Sequence, residues 1–275
     1  MNKKKHRKIT KDSVTSVLYP LLFGAVIVVL WQTQILHKIL GTDTFVLPLP
    51  DRIFTIIGDN MGAIMENVKA TVIVSLGGLI LGSALGYLLG MIAMAFPKWG
   101  AGGLTVVSAF NAVPIIAIAP ILNNLTKDFS EDANTRSMIA KTLVVTITCT
   151  VAMSINAFRG FTELKPFSLD LMKSYAANKA TIFFKLRVPN SLPYVFTALR
   201  VSVPASIISA LVSEYFAEYI IGVGRQIREN IVLAQYATAW AYIVVACAIG
   251  IVLYLILLFA EGILLKNRRP RWKSV

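Results

Sequence analysis

The sequence predicts an all-α integral membrane protein with about six transmembrane helices. Of its 275 residues, 56% are hydrophobic and only 15% are charged, and the mean hydropathy is +0.69. A soluble domain of this length needs less apolar material to fill its core. We therefore expect the excess to face lipid. It is concentrated in apolar windows of about 20 residues, the length that an α-helix needs to cross a bilayer.

The predicted spans cover residues 17–36, 70–96, 104–124, 138–158, 195–217 and 238–262, each with bounds that are approximate. The third span contains Pro114 and Pro120, and proline removes a backbone donor and clashes with the preceding turn. This span is therefore predicted to be a kinked or broken helix.

The spans divide the chain into four regions. Residues 1–16 form a basic tail. Residues 17–69 contain the first span and an outer interfacial segment, in which a helix can begin at Asp51. The transmembrane domain follows over 70–264 and includes a long loop, 159–194, between the fourth and fifth spans. A second basic tail, 265–275, ends the chain.

The net charge of +13 would suggest nucleic-acid binding in a soluble protein, so the placement of the charges decides its meaning. With six spans, 19 of the 27 basic residues fall on the side that carries both tails and loop 159–194. Positive charge accumulates on the cytoplasmic side of membrane proteins. The sequence therefore predicts a multi-pass protein of the cell membrane with both termini in the cytoplasm, in contact with lipid and not with nucleic acid.

Two stripes of small polar residues run along neighbouring predicted spans. Helical spacing places four serines on one face of the fifth span, and hydroxyls also recur along the fourth. The candidate translocation path consists of Ser202, Ser206, Ser209, Ser213, Thr146 and Thr150. Such a stripe either lines a hydrated path for a solute or lets two helices pack closely while each hydroxyl bonds to its own backbone. Both alternatives stay open at this point.

A different stripe, of glycines, occupies the second span at every fourth residue from Gly78 to Gly90. A helix face without side chains favours close packing against a neighbouring helix. We expect intramolecular packing here.

Glu214 and Glu218 lie one helical turn apart at the outer end of the fifth span. Acidic groups at membrane depth are costly and often functional, but a solvated helix end explains them as well. No span carries charged groups at mid-depth, which argues against a proton-driven carrier.

The sequence contains no phosphate-binding loop, no zinc-protease motif and no nucleophile elbow. We therefore predict that the chain is not an enzyme and has no catalytic residues, metal site or cofactor of its own.

Loop 159–194 is long for a membrane loop and carries a helical pattern. Asp170 lies where a carboxylate favours the first turn of a helix, and one apolar face persists to Leu186 if the helix continues across Ala177 and Asn178. Pro189 and Pro193 are predicted to end this helix before the fifth span.

This loop resembles the signature loop of permease subunits of binding-protein-dependent ABC importers. The family pattern is Glu-Ala-Ala, three residues, Gly, nine residues, Ile, one residue and Leu-Pro, and aligning it on Pro189 puts Asp170 at the glutamate and Ala176 at the glycine. The resemblance is strongest to nitrate, sulfonate, taurine and pyrimidine-type systems. It extends over about 45–265 through the segments FVLPLPDRIFTII, NAVPIIAIAPIL, AANKATIFFKLRVPNSLPYVFTALR and SEYFAEYIIGVG.

The resemblance implies a type I ABC importer permease with several partners. These are separate ATP-binding subunits, which hold ATP and Mg, an extracytoplasmic solute-binding protein, and a second permease subunit in a homodimer. The implied solute is a small organic anion such as a sulfonate, or a vitamin precursor such as a pyrimidine. The residues assigned to ATPase coupling are Asp170, Met172, Tyr175, Ala176, Ala177, Asn178, Phe183, Leu186 and Pro189. The alternatives are a secondary carrier without an ATPase and a membrane scaffold that transports nothing.

Overall fold

The computed structural model describes residues 11–96, 98–126, 132–216 and 221–265, and every regular element in these ranges is helical. In chain order the helices are α1 (Lys11–Gln32), α2 (Ile35–Leu40), α3 (Pro50–Asp59), α4 (Met61–Ala95), α5 (Gly100–Ala109), α6 (Ile115–Leu125), α7 (Ala133–Thr162), α8 (Ser168–Ser174), α9 (Lys179–Ile182), α10 (Val188–Phe216), α11 (Val223–Val232) and α12 (Tyr236–Leu264). A 3₁₀ turn, Phe110–Ala112, follows α5, and a π-turn, Phe183–Arg187, joins α9 to α10.

Within the described ranges, four helices are long and apolar enough to cross a membrane. They are α4, α7, the continuous helix Lys179–Phe216 that combines α9 with α10, and α12. These correspond to the second, fourth, fifth and sixth predicted spans. The apolar stretches of the other two are shorter, Leu18–Gln32 in α1 and Gly100–Ala109 in α5.

The third predicted span is broken rather than kinked. Its break lies at Val113 and Pro114, which both have extended backbone (ψ 121° and 127°), between the 3₁₀ turn and α6. A proline disfavours helical backbone at the residue before it, so Val113 leaves the helix. Pro120, in contrast, stays inside α6.

Helix α4 packs against α7 through the glycine face, as the sequence predicts. A Cβ atom at Gly82 or Gly86 would lie 2.5 Å from the carbonyl oxygen of Thr146 or Thr150, respectively. Only glycine lets the two backbones approach this closely. The packing interpretation of the glycine stripe is thus confirmed.

The first turn of α7 is capped by Asp132, which accepts hydrogen bonds from Thr135 N at 2.8 Å and Thr135 Oγ1 at 2.6 Å. These bonds hold the pKa of the Asp132 carboxyl below its ordinary value, because they stabilise the ionised form. The cap fixes the residue at which α7 begins.

The segment from α1 to α3 lies against the start of α12. The ring centroids of Trp31 and Trp240 are 5.6 Å apart, and Trp240 Nε1 donates to the Val46 carbonyl at 3.0 Å. Phe45 contacts Tyr236 edge to face at 5.3 Å. Helix α3 begins at Pro50, next to Asp51, where the sequence predicts the start of a helix.

Candidate functional site

Loop 159–194 bends between α8 and α9, so the helix does not continue across Ala177 and Asn178, a point that the sequence left open. The chain leaves α8 through a Schellman turn in which Ala176 N donates to Lys173 O at 2.8 Å and Ala177 N donates to Met172 O at 3.0 Å. Ala176 has a φ of 51°, the left-handed conformation that favours glycine. Asn178 then caps α9 by accepting a 2.8 Å hydrogen bond from Thr181 N.

The helix stop predicted at Pro189 and Pro193 is wrong, since both prolines lie inside the continuous helix Lys179–Phe216. The π-turn Phe183–Arg187 ends two residues before Pro189. A π-turn changes the backbone register by one residue, and such turns accommodate prolines without ending a helix. The loop and the fifth span therefore share one continuous helix.

The apolar face predicted for the loop divides into an outward and an inward part. Phe167, Leu171 and Tyr175 are 82%, 59% and 78% exposed. Leu171 lies in α8, and Phe167 and Tyr175 are the residues that flank this helix; Leu171 N donates to Phe167 O and Tyr175 N donates to Leu171 O. We call these three residues the α8 patch. Tyr175 belongs to the predicted coupling set, whereas Phe167 and Leu171 do not, although their spacing of four is visible in the sequence.

The inward part ties the loop to the helix bundle. The ring of Phe183 lies 5.7 Å from that of buried Phe161, which in turn contacts Tyr87 at 5.1 Å. Leu186 and Met172 are half-buried. Phe183 and Leu186 therefore do not lie on the α8 patch as a single helix would require.

Asp170, Ala176 and Asn178 are exposed, and Asp170 forms a 3.9 Å ion pair with Lys173 at the surface. Ala177 and Pro189 are half-buried.

The base of the loop is held by side chains that bond to carbonyls at the end of α7. Arg187 Nη1 donates to Phe161 O at 2.6 Å, and Asn190 Nδ2 donates to Gly160 O at 2.8 Å and to Glu163 O at 3.1 Å. The last carbonyls of a helix have no partner within it, so these contacts supply one. These bonds connect the start of α10 to the end of α7.

The four serines of the fifth span, on α10, are buried. Ser209 Oγ donates to Thr148 Oγ1 on α7 at 3.2 Å, while Ser206 and Ser213 bond to carbonyls of their own helix. Ser202 is also buried.

The hydroxyls on α7 behave similarly. Thr146 and Thr150 donate to the carbonyls four residues earlier at 2.8 and 2.7 Å. Within this subunit, both stripes lie at helix contacts rather than on an open surface, which favours the packing alternative.

Glu214 is fully buried and is not a solvated helix end. Both of its carboxylate oxygens lie 2.9 Å from Thr71 Oγ1, and Oε2 also accepts a 2.9 Å hydrogen bond from Gly224 N. Lys141 of α7 interacts with this carboxylate electrostatically. Glu218, the second predicted acid, lies outside the described residues.

Among the described residues, no three side chains of His, Cys, Asp or Glu come together as a metal site would require.

Comparison with known proteins identifies related membrane transport subunits. A sequence model of the family described as "Binding-protein-dependent transport system inner membrane component" matches residues 78–270. The formylaminopyrimidine transport permease protein ThiX of Halalkalibacterium halodurans is 27% identical over 199 residues, which are 72% of this chain and 75% of the relative.

Two further curated relatives are also permeases. A probable ABC transporter permease protein of Haemophilus influenzae is 24% identical over 200 residues, covering 72% of this chain and 77% of the relative. The bicarbonate transport system permease protein CmpB of Synechocystis is 27% identical over 85 residues, 31% of this chain and 30% of that protein.

Among solved structures, the MetNI methionine ABC transporter in inward-facing conformations has a similar fold. The TM-score is 0.53 at 15% sequence identity, and the match covers 74% of this chain and 93% of the other. At this identity the likeness concerns the fold alone, which is that of a type I ABC importer permease.

Proposed function

The chain belongs to the family of binding-protein-dependent transport system inner membrane components, the permeases of ABC importers, and from this premise we propose two finer functions. Its loop 159–194 couples it to a separate ATP-binding subunit, and its helices form the path of a small polar solute across the membrane.

The observation that carries the first proposal is the α8 patch. Three large apolar side chains on or beside one short helix are exposed to more than half of their surface. Exposed clusters of this kind mark a contact surface. The hydrogen bonds between the loop base and α7 give this surface a rigid connection to two spans.

We propose that a groove on the ATP-binding subunit receives the patch. ATP and Mg bind to that subunit, so that its closure moves the loop and, through it, α7 and α10. The excess of basic residues in the tails and the loop supports a cytoplasmic position for all three.

We further propose that the path lies between two copies of this chain. The polar stripes are buried inside the subunit, so a hydrated path is better placed at a surface shared with a second copy. An extracytoplasmic binding protein delivers the solute. Similarity to ThiX supports a pyrimidine, and similarity to CmpB, over less than a third of the chain, supports a small anion.

The test replaces both Leu171 and Tyr175 by alanine. These side chains are exposed, so folding should not change, whereas each apolar side chain buried at an interface contributes about 1.5–3 kcal/mol. We expect the affinity for the ATP-binding subunit to fall at least about 100-fold, measured by co-purification and titration in nanodiscs. Lys173→Ala, an exposed change on the same helix, is the matched control and should bind normally.

Transport itself is measured in proteoliposomes with formylaminopyrimidine and taurine as probes. We expect uptake of one probe to require ATP and to be abolished by the double variant. Uptake that persists without ATP and stops with an uncoupler would establish a secondary carrier instead, and normal ATPase binding by the double variant would refute the assignment of the patch.

A further inference from the structure

The N-terminus of α11 is capped by side chains from other helices. The first amides of a helix have no partner within it, and here the N-cap residue is a glycine, which offers no side chain. Three hydrogen bonds of 2.9 Å run from the amides of Gly222, Val223 and Gly224 to Asn67 Oδ1, Thr71 Oγ1 and Glu214 Oε2, respectively. Helices α4 and α10 thus supply the cap that α11 lacks.

Glu214 is the centre of this arrangement. The Thr71 hydroxyl donates its single proton to the carboxylate while it accepts the bond from Val223. The carboxylate also lies at the positive end of the α11 dipole. A Cβ atom at Gly222, whose φ is 131°, would lie 2.5 Å from Glu214 Cδ, so the close approach requires glycine.

A second charged group from α7 completes the cluster. Lys141 is buried, and its ammonium group donates to the Ile221 carbonyl at 3.2 Å near the Glu214 carboxylate. A buried charged group without hydrogen bonds would be strongly destabilising, but here Lys141 donates to the Ile221 carbonyl and Glu214 accepts from Thr71 and Gly224. Side chains or backbone groups of α4, α7, α10 and α11 therefore meet at one point.

Glu214 also lies near the far end of the helix that starts in the loop. The continuous helix begins at Lys179, beside the α8 patch, and reaches Glu214 about 50 Å further along its axis. A rigid element of this length transmits a displacement at one end to groups attached at the other.

We propose that Glu214 is a positioning residue that makes α11 move with α4 and α10 as one body. Helix α11 then follows the displacement that the loop imposes on the long helix. That α11 follows the loop rests on the proposed coupling to an ATP-binding subunit, whereas the capping of α11 by Glu214 does not.

The capping is tested by hydrogen exchange of the full-length chain in lipid nanodiscs. In Glu214→Ala and in Thr71→Val, we expect the amides of residues 222–224 to exchange about tenfold faster, with the amides of α12 unchanged. Glu66→Ala removes an exposed glutamate from α4 and serves as the control. Unchanged exchange at residues 222–224, or equal acceleration throughout the chain, would overturn the positioning role.

The transmission is tested in the complex with the ATP-binding subunit, by adding a non-hydrolysable ATP analogue. We expect nucleotide to change exchange at least threefold both in residues 179–187 and in α11 of the unsubstituted chain. In Glu214→Ala the change should persist at 179–187 and vanish in α11. Glu214→Gln keeps one acceptor for Gly224 and should recover at least half of the response in α11.

The two proposals fail in different ways. If the unsubstituted chain does not bind the ATP-binding subunit, the proposed function is wrong, while the exchange of residues 222–224 still decides the capping. If nucleotide changes the hydrogen exchange of α11 equally in the unsubstituted chain and in Glu214→Ala, or changes it in neither, Glu214 does not transmit the motion.

Discussion

Gly86 provides the sharpest test of how the helix bundle is held together. A Cβ atom at this position would lie 2.5 Å from the Thr150 carbonyl oxygen and 2.7 Å from Met153 Cβ, both on α7. Contacts between carbon and a carbonyl oxygen normally begin near 3.3 Å, so Gly86→Ala must separate the two helices by about 0.8 Å. Gly77 lies on the same helix but has room for a Cβ atom, which would lie 3.6 Å from Thr142 Cγ2, an ordinary van der Waals contact.

The two substitutions share every contribution except the clash. Alanine is favoured over glycine inside a helix by about 1 kcal/mol, which applies to both. Overpacking a close contact costs about 1–3 kcal/mol, which applies only to Gly86. We therefore expect Gly77→Ala to raise the free energy of unfolding by up to about 1 kcal/mol. The free energy of unfolding of Gly86→Ala should be about 1–3 kcal/mol lower than that of Gly77→Ala.

The measurement is reversible unfolding of the purified full-length chain in mixed detergent micelles, followed by circular dichroism. For a chain of this size the difference corresponds to about 2–4 °C in melting temperature for each kcal/mol. If Gly86→Ala is as stable as Gly77→Ala, the close backbone approach of α4 and α7 does not stabilise the fold and the argument is wrong.

Two further predictions concern the loop and the last span. Ala176→Gly removes the strain of an alanine in the left-handed conformation, so it should raise the free energy of unfolding by at most about 1 kcal/mol and slow proteolysis of the loop a few-fold. Ala177 has no positive φ, so Ala177→Gly should not slow proteolysis. Arg200 forms a bidentate ion pair with Glu261 at 2.7 and 2.8 Å, so Glu261→Ala should cost about 1–3 kcal/mol of unfolding free energy. Exchanging the two residues should recover most of that loss, and failure to do so would mean that the pair contributes through packing rather than charge.

The spans illustrate what an apolar pattern can and cannot predict. Four of the six are long enough to cross a membrane. A stretch of about 20 apolar residues in lipid has no water to bond to, so its backbone groups must form their hydrogen bonds within a helix. Pro114 signalled that the third is interrupted, but a proline inside an apolar run is compatible with a kink or a break. The neighbouring Pro120 stays within its helix, so residue type alone did not decide between them.

The loop shows a similar limit. Asp170 in the first turn of α8 follows from a local signal, and the family resemblance identifies Ala176 as the position of a glycine, but the sequence left open whether the chain bends there. The separation of Phe183 from Tyr175 was not predictable. It depends on the ring of Phe161, which is distant in sequence and packs against Phe183 only after the helices assemble.

The sequence by itself determined that this protein lies in a membrane, that it is helical and which family it belongs to. The composition, the distribution of basic residues among the loops and the order of the family's segments can all be read from the chain alone. Tertiary structure decided which polar groups are exposed. Helical spacing places the four serines on one face of α10 and Glu214 on an adjacent face, but whether a face meets water, a solute or another helix depends on its neighbours. Here Ser209 finds a hydrogen-bond partner on α7 and Glu214 finds partners on α4 and α11, whereas Ser206 and Ser213 bond to carbonyls of α10 itself.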